Sequence, residues 1–455
     1  MNVMLIASNT ASTPYPVYPL GMSIVAGALR DAGHDVTLFD LLHNGNSLDA
    51  LISLIRESKP EIIGLSIRNI DNVNSVNEQR YIDGVKEIVR KIREETDALI
   101  VLGGSGFSIM PEVILREVGA DYGIVGEGES LMVEFVAGAS RGEYPGERCI
   151  RTSLRLSGNE IAPAYYDSGL MRFYLKSGNI ASVQTKRGCH YGCIYCSYPV
   201  LEGSALRCRD PEAVVKDIRT LVDVHGAQYI FFTDSVFNDD EGHYLAVVRA
   251  MKKNGLSVPW TAFFRPQGLD DESVELMKET GLRAAEIGSD APTDKTLRRL
   301  GKSFLFKDII ACNDLFVRHG VASAHYFMFG CPGETRETVL QGIENIKGLK
   351  QTVSFIFMGI RILPDTALVK LAYREGLLTP EQELLESVYY IAPGMDRQWL
   401  HEALTKAFQG VRNCVFPPDA LDNSLQMLHQ LGYKGAMWDM LIPPKEGRRR
   451  RSATG

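Results

Sequence analysis

Twice along this chain, short β-rich apolar runs alternate with stretches of helical period, and that alternation leaves few folds open. Strands joined by helices run parallel, and a parallel sheet must be covered on both faces, which defines the α/β class. In the first block, residues 3–7, 36–39, 62–67, 99–102 and 122–125 read as strands, and 21–32, 48–57, 77–94, 110–117 and 129–139 as helices. This spacing predicts a doubly wound, Rossmann-like domain over residues 1–140. Residues 141–179, interrupted by Gly142, Pro145, Gly158 and Pro163, have little periodicity and read as a linker. There Tyr165-Tyr166-Asp167 either packs or borders a substrate cavity.

From residue 180 the alternation resumes. Strands are expected at 180–183, 229–232, 261–264, 284–287, 324–329 and 353–360, and helices at 211–224, 241–254, 272–279, 293–300 with 307–319, 337–349 and 367–375. Six such units predict a partial (β/α)6 barrel over 180–376, whose site would lie at the C-terminal strand ends. Residues 377–455 read as a mostly helical region rich in aromatics, with a disordered basic tail at Arg448–Arg451.

A chain of 455 residues exceeds one ordinary core and is expected to form two or three domains. Its net charge of −7 gives no general attraction to nucleic acid or anionic lipid. Neither a membrane-length apolar run nor a signal peptide is visible, so a cytoplasmic location is expected.

The densest chemistry lies in Lys186-Arg187-Gly188-Cys189-His190-Tyr191-Gly192-Cys193-Ile194-Tyr195-Cys196-Ser197. Cys189, Cys193 and Cys196 stand at C-x-x-x-C-x-x-C spacing directly after a strand, so their thiolates share one loop. Three thiolates suit a [4Fe–4S] cluster that leaves one iron without a protein ligand. A structural zinc site would need a fourth ligand, and His190, adjacent to Cys189, is poorly placed to supply it. Gly188 and Gly192 let the backbone wrap tightly. The other cysteines, Cys149, Cys208, Cys312, Cys331 and Cys414, are scattered and read as small buried side chains.

Ligands of open parallel sheets bind at the carboxyl ends of the strands, which directs attention to residues 8–19, 68–76, 103–109 and 126–129. Gly103-Gly104-Ser105-Gly106 follows one strand and Gly126-Glu127-Gly128-Glu129 opens a helix. Both also read as turn chemistry. No G-x-G-x-x-G follows the first strand, which disfavours a nicotinamide cofactor.

The cysteine spacing, with Tyr195 before the last cysteine, resembles the radical S-adenosylmethionine (SAM) superfamily. That resemblance implies that the open iron chelates SAM, that Tyr195 lies against the adenine, and that SAM is cleaved to a 5′-deoxyadenosyl radical. It further implies SAM contacts at later strand ends. Asp234 stands where the family often has a Gly-Gly-Glu run, absent here. Arg265 would meet the carboxylate or else make a surface salt bridge, and Asp290, in Glu286-Ile287-Gly288-Ser289-Asp290, would meet the ribose or cap a helix. Gly330, within the stretch from His325 to Thr335, would border adenine, and Arg361 would hold SAM or an anionic substrate.

The first domain resembles the cobalamin-binding domain of one radical SAM subfamily through Pro19-Leu20-Gly21, Gly103-Gly104 and Gly126-Glu127-Gly128-Glu129. The resemblance implies a corrin across the strand ends and a nucleotide tail at Gly103, Gly104 and Ser105, with Gly126 and Glu127 nearby. The D-x-H-x-x-G motif is absent, and Asp40-Leu41-Leu42-His43 has a different spacing, so no histidine ligand to cobalt is expected. Arg68 or Asn69 would lie under the cobalt, or else the run belongs to a solvated loop.

The implied activity is methylation of an unactivated carbon in a lipid or natural product. Cyclisation, ring contraction, dehydration or carbon–carbon coupling, with cobalamin non-methylating or absent, is the alternative within the superfamily, and an iron–sulfur electron carrier the alternative outside enzymology. Expected partners are a small-molecule or lipid substrate and an electron donor such as flavodoxin or ferredoxin, but no nucleic acid. No catalytic side chain stands out beyond the cofactor ligands.

Overall fold

The computed structural model describes residues 1–443, so the basic run Arg448–Arg451 lies outside the described residues. Its first sheet contains β1 (Asn2–Ala7), β2 (Asp35–Asp40), β3 (Ile62–Ser66), β4 (Leu99–Gly103), β5 (Tyr122–Ile124) and β6 (Cys149–Ile150). All pair in parallel, in the order β2-β1-β3-β4-β5-β6. The chain therefore steps outward in both directions from β1, and the loops after β1 and β3 diverge to leave a crevice between them.

Local chemistry sets the helix ends. Ser47 accepts a hydrogen bond from the Ala50 amide (3.1 Å) at the start of Leu48–Ser58, which buries Leu51 and Ile55 one turn apart. The predicted helix over 77–94 begins only at Ile82. Its first turn is diverted because Asn72 accepts from the Gln79 amide (3.0 Å) and donates to the Asn77 carbonyl (2.8 Å), folding 72–79 into a turn of its own. From Ile82 the burial of Val85, Val89 and Ile92 follows helical spacing.

The linker contributes more structure than its composition promised. It supplies β6 and the helix Ser168–Lys176, whose Tyr174 hydroxyl donates to Asp40 on β2 (2.8 Å).

Next come β7 (Ile180–Val183), β8 (Lys186–Arg187), β9 (Arg207–Cys208), β10 (Tyr229–Phe232), β11 (Trp260–Phe264), β12 (Leu282–Asp290), β13 (Ala322–Phe329), β14 (Val353–Met358), β15 (Ile360–Arg361), β16 (Tyr389–Tyr390) and β17 (Cys414–Val415). Seven of these form one sheet, β17-β14-β13-β12-β11-β10-β7, with parallel neighbours throughout. The predicted six-strand barrel thus gains a seventh strand from the C-terminal region. Two residues of β-branched or small side chain carry too little periodicity for that strand to be read from sequence.

The predicted strand over 353–360 is split at Gly359 (φ +75°), after which β15 leaves the sheet and pairs antiparallel with β16. Side chains of β12 alternate: Ala285 and Ile287 join the helix-side core with Met277 and Phe316, whereas Ala284 belongs to the inner face. Among the described residues no helix is long and apolar enough to cross a membrane.

Candidate cofactor and active site

The carboxyl ends of the two sheets face one another across a cavity of about 620 Å³. Arg68, Gly103, Gly104 and Gly126 border it from the first domain, and Arg187, Ser197, Tyr198 and Thr233 from the second. Arg187 and Ser197 bracket the three cysteines.

The cysteine loop leaves β7 and is pinned at its base. Asp234 accepts from the Thr185 amide (2.7 Å) and hydroxyl (2.5 Å) and from Lys186 Nζ (3.2 Å), all buried. Lys186 also reaches Asp239 (3.2 Å) and the Phe237 carbonyl (2.8 Å). This corrects the expectation for Asp234: its carboxylate is saturated by the loop it anchors, because a buried charge of this kind must be fully paired. Gly188 adopts φ +94°, and a β-carbon there would stand 2.0 Å from the Ala205 carbonyl oxygen. Only glycine lets the loop turn at that point.

Cys189, Cys193 and Cys196 are free thiols. Burial raises the Cys189 thiol and pushes Cys196 up to about 12, so both keep their protons at neutral pH until a metal displaces them. Among the described residues no three His, Cys, Asp or Glu side chains converge on a point where one metal ion would sit. A cubane cluster does not ask for that, since each thiolate binds a different iron. His190 turns instead toward Asp240 (3.2 Å).

Lys302, on the loop after the helix Asp294–Arg299, was missed from the sequence. Its ammonium pairs with Asp290, lies 3.0 Å from Cys193 Sγ and donates to Tyr195 Oη (3.2 Å). Burial opposes its charge, but Asp290, Tyr195 and Cys193 hold it well above the usual lysine range. Asp290, at φ +61°, ends β12 and caps no helix; Thr293 caps the next one. No motif surrounds Lys302, and only its return to the cysteine loop marks it.

Arg265 donates to Tyr191 Oη (2.8 Å) and to Gln267 and Ser303 (2.8 Å each), with its guanidinium 4.1 Å from the Tyr191 ring centroid. It therefore stiffens the cysteine loop between its first two thiols. The Gly330 amide donates to Glu334, which also accepts from the Cys331 amide (3.1 Å), so the turn after β13 closes on its own carboxylate.

Arg361 is corrected outright. Its Nε donates to Asp71 (2.8 Å) and its terminal nitrogens to the carbonyls of Ile362 (2.8 Å) and Leu384 (2.7 Å), at 5% exposure. The guanidinium joins the two domains, and each of its three nitrogens donates to a group of the chain itself.

On the first-domain side of the cavity, Gly104 (φ +96°) packs so closely that a β-carbon would stand 2.5 Å from the Ile67 carbonyl oxygen. Ser105 donates to the Arg68 carbonyl (2.8 Å), and the Gly126 amide to Ser108 (2.9 Å), binding adjacent strand-end loops together. The Glu127 carboxylate is spent otherwise than expected. It pairs with Arg207 and accepts from the Leu156 amide (3.1 Å), while neighbouring Glu129 pairs with Arg187 (2.8 Å). Those ion pairs clamp the cysteine loop to the first domain.

Arg68 and Asn69 both border the cavity. Arg68, exposed within the cavity, has no side-chain hydrogen bond or ion pair within the described residues, and desolvation by the surrounding chain lowers its guanidinium below the usual value. Gly103 differs from Gly104 in that a β-carbon would meet nothing closer than the Ile124 carbonyl oxygen at 4.0 Å. The space it leaves open belongs to the cavity, as a cradle for a cofactor tail requires. Gly103→Leu is accordingly expected to fold with unchanged thermal stability yet lose retention of cobalamin, read as corrin absorbance after gel filtration. Retained corrin in that variant would place the tail elsewhere.

Two parallel α/β domains that face each other across one cavity, one offering a thiol triplet and the other a glycine-edged crevice, define a cofactor-dependent two-domain enzyme. Residues 7–136 match the B12 binding domain family and residues 183–346 the Radical SAM superfamily. The chain belongs to the radical SAM superfamily and carries a B12 binding domain ahead of its radical SAM domain. It is 24% identical to tryptophan 2-C-methyltransferase of Streptomyces laurentii over 78% of this chain and 72% of that protein. It is 27% identical to the uncharacterized methyltransferase PH0819 of Pyrococcus horikoshii, over 73% of each. The fold matches the radical SAM methyltransferase TsrM from Kitasatospora setae, solved with cobalamin and a [4Fe-4S] cluster, at TM-score 0.84 and 24% identity over 96% of this chain and 97% of that one.

Proposed function

We propose that this protein is a cobalamin-dependent radical SAM methyltransferase that modifies an unactivated carbon of a small-molecule substrate. The observation that carries the reading is the shared cavity: Arg187 and Ser197, which flank the cysteine loop, and the Arg68 and Gly103 strand ends line the same space. A donor of one-carbon units and a radical initiator must both reach the substrate, and a common cavity meets that need. The names of the methyltransferase relatives support the same reading.

When bound, the cluster supplies the electron that cleaves SAM, and cobalamin supplies the methyl carrier. The chain's own residues do the positioning. Cys189, Cys193 and Cys196 hold three irons. Lys302, already beside Cys193, Tyr195 and Asp290, would set a positive charge next to the SAM carboxylate, Tyr195 would border the adenine, Asp290 would take ribose hydroxyls, and the Gly330 turn would limit the adenine pocket. Arg265 supports the loop from beneath. Arg68 and Asn69 would offer donors to a bound corrin, and Gly103, Gly104, Ser105 and Gly126 would hold its nucleotide tail. The electron comes from a flavodoxin or ferredoxin, in keeping with a reducing cytoplasm.

The test is anaerobic reconstitution with iron, sulfide and hydroxocobalamin, followed by incubation with SAM and a reductant. Release of S-adenosylhomocysteine and 5′-deoxyadenosine together is expected once an acceptor is present. 5′-Deoxyadenosine alone, with corrin retained and no methylated product from any acceptor, would point to a radical reaction without methyl transfer.

A further inference from the structure

The inner face of the second sheet is lined by aromatic rings around a carboxyl group that the cofactor sites do not use. Strand register brings Phe231 beside Thr261, and Phe263 beside Glu286. The rings of Phe231 and Phe263 meet edge-on at 5.2 Å, those of Phe263 and Tyr326 at 6.3 Å, and Tyr326 stacks on Phe355 at 5.4 Å. Phe263 stands on a central strand covered outside by helices, yet it is 37% exposed, so the exposure is to the inside of the barrel. Apolar surface left open in the middle of a folded sheet marks a ligand site more often than a packing fault.

That interior adjoins the cofactor cavity. Thr233 follows directly after Phe232, whose register partner is Ala262, and so stands beside Phe263; it also borders the cavity. Above Glu286 on the same face of β12 comes Gly288, where even a β-carbon would make only ordinary contacts, at 3.7 Å or more. Gly288 therefore places no side chain above the carboxyl group. Trp438, in the C-terminal segment, closes the floor among Ala284, Val353 and Phe355.

Glu286 is the one acid of this interior with no cation near it: among the described residues it takes part in no ion pair. Tyr326 Oη donates to Oε2 at 2.7 Å, but Oε1 has only a long contact from Trp438 Nε1 at 3.5 Å. Burial pushes its carboxyl up to about 7. A buried carboxyl without a counter-charge gains from any ligand that brings one.

Resting on the methyltransferase reading, we infer that the substrate is an aromatic amine whose ring lies among Phe231, Phe263 and Tyr326 and whose ammonium group pairs with Glu286. The rings supply flat apolar contact and edge-to-face partners, while the carboxyl fixes orientation by charge-assisted hydrogen bonding. An anionic aromatic would face Glu286 with like charge, and a saturated ring of equal size would lose the ring-to-ring contacts.

The test is calorimetric titration of the cofactor-reconstituted protein with tryptamine and 2-phenylethylamine, and with 3-phenylpropionate and 2-cyclohexylethylamine as controls. The two aromatic amines are expected to bind and the controls to bind at least about tenfold more weakly. Glu286→Gln is expected to weaken both amines by about tenfold or more while narrowing the gap to 3-phenylpropionate. Phe263→Ala, which leaves Glu286 in place, is expected to erase the preference for an aromatic over a cyclohexyl ring. Equal binding of all four probes, absence of binding, or an unchanged profile in both variants overturns the inference. Corrin retention and SAM cleavage are read on the same samples, so amine binding without methyl transfer to any acceptor would sink the methyltransferase reading alone. Methyl transfer confined to acceptors lacking an aromatic amine would sink this inference alone.

Discussion

Cys193→Ala is expected to lose the iron–sulfur absorbance after reconstitution and to reduce SAM cleavage to background, with the same result for Cys189→Ala and Cys196→Ala. Each thiolate of the triplet serves one iron, so no neighbour substitutes for a missing one. His190 is held by Asp240 and so is not free to replace a missing thiolate. The loop itself should survive. Its shape rests on Asp234 and Lys186 at the base, on the Gly188 turn, and on Arg265 against Tyr191, none of which needs the metal. Circular dichroism and corrin retention are therefore expected to stay close to wild type while 5′-deoxyadenosine disappears. Continued SAM cleavage by any of the three variants would remove the foundation of the proposed function.

Arg361→Met is expected to destabilise the protein by about 3–5 kcal/mol, because it strands the Asp71 carboxylate in the interior. Both side chains of this ion pair are almost fully buried, at 3% and 2% exposure. Ser387, at 3.1 Å, would be the main remaining side-chain donor to that carboxylate. The carbonyls of Ile362 and Leu384 lose their donors as well. Combining Arg361→Met with Asp71→Leu should recover much of the loss, since removing both charges also removes their desolvation cost. Thermal denaturation of the two single variants and the pair measures this coupling. Asp71 sits three residues beyond Arg68, so Arg361→Met is also expected to weaken cobalamin retention. Loss of less than about 1 kcal/mol would mean that the pair behaves as an exposed one.

The cysteine triplet and the strand positions were legible from the sequence because both are local. Three thiols within eight residues share a loop however the chain folds, and apolar runs at period two or 3.6 mark strands and helices through burial alone. The placement of Gly103, Gly104 and Gly126 at strand ends was legible for a similar reason, as glycines at or just beyond apolar runs. The roles of charged side chains were not. Asp234, Glu127 and Arg361 were each expected at a ligand, and each is occupied by another part of the chain. Lys302 went unnoticed although its ammonium lies 3.0 Å from Cys193 Sγ. Residues as plain as Glu286 and Phe263 acquire meaning only when register sets them side by side on the inner face of the barrel.

By itself, then, the sequence determined two α/β domains, an iron–sulfur loop and a glycine-edged crevice. Only the tertiary structure decided which charges face ligands and which hold the domains together. The physical reason lies in how charge is buried. A charge removed from water needs a partner within a few ångströms, and that partner is chosen by the fold, as Asp71 is for Arg361 across a separation of 290 residues.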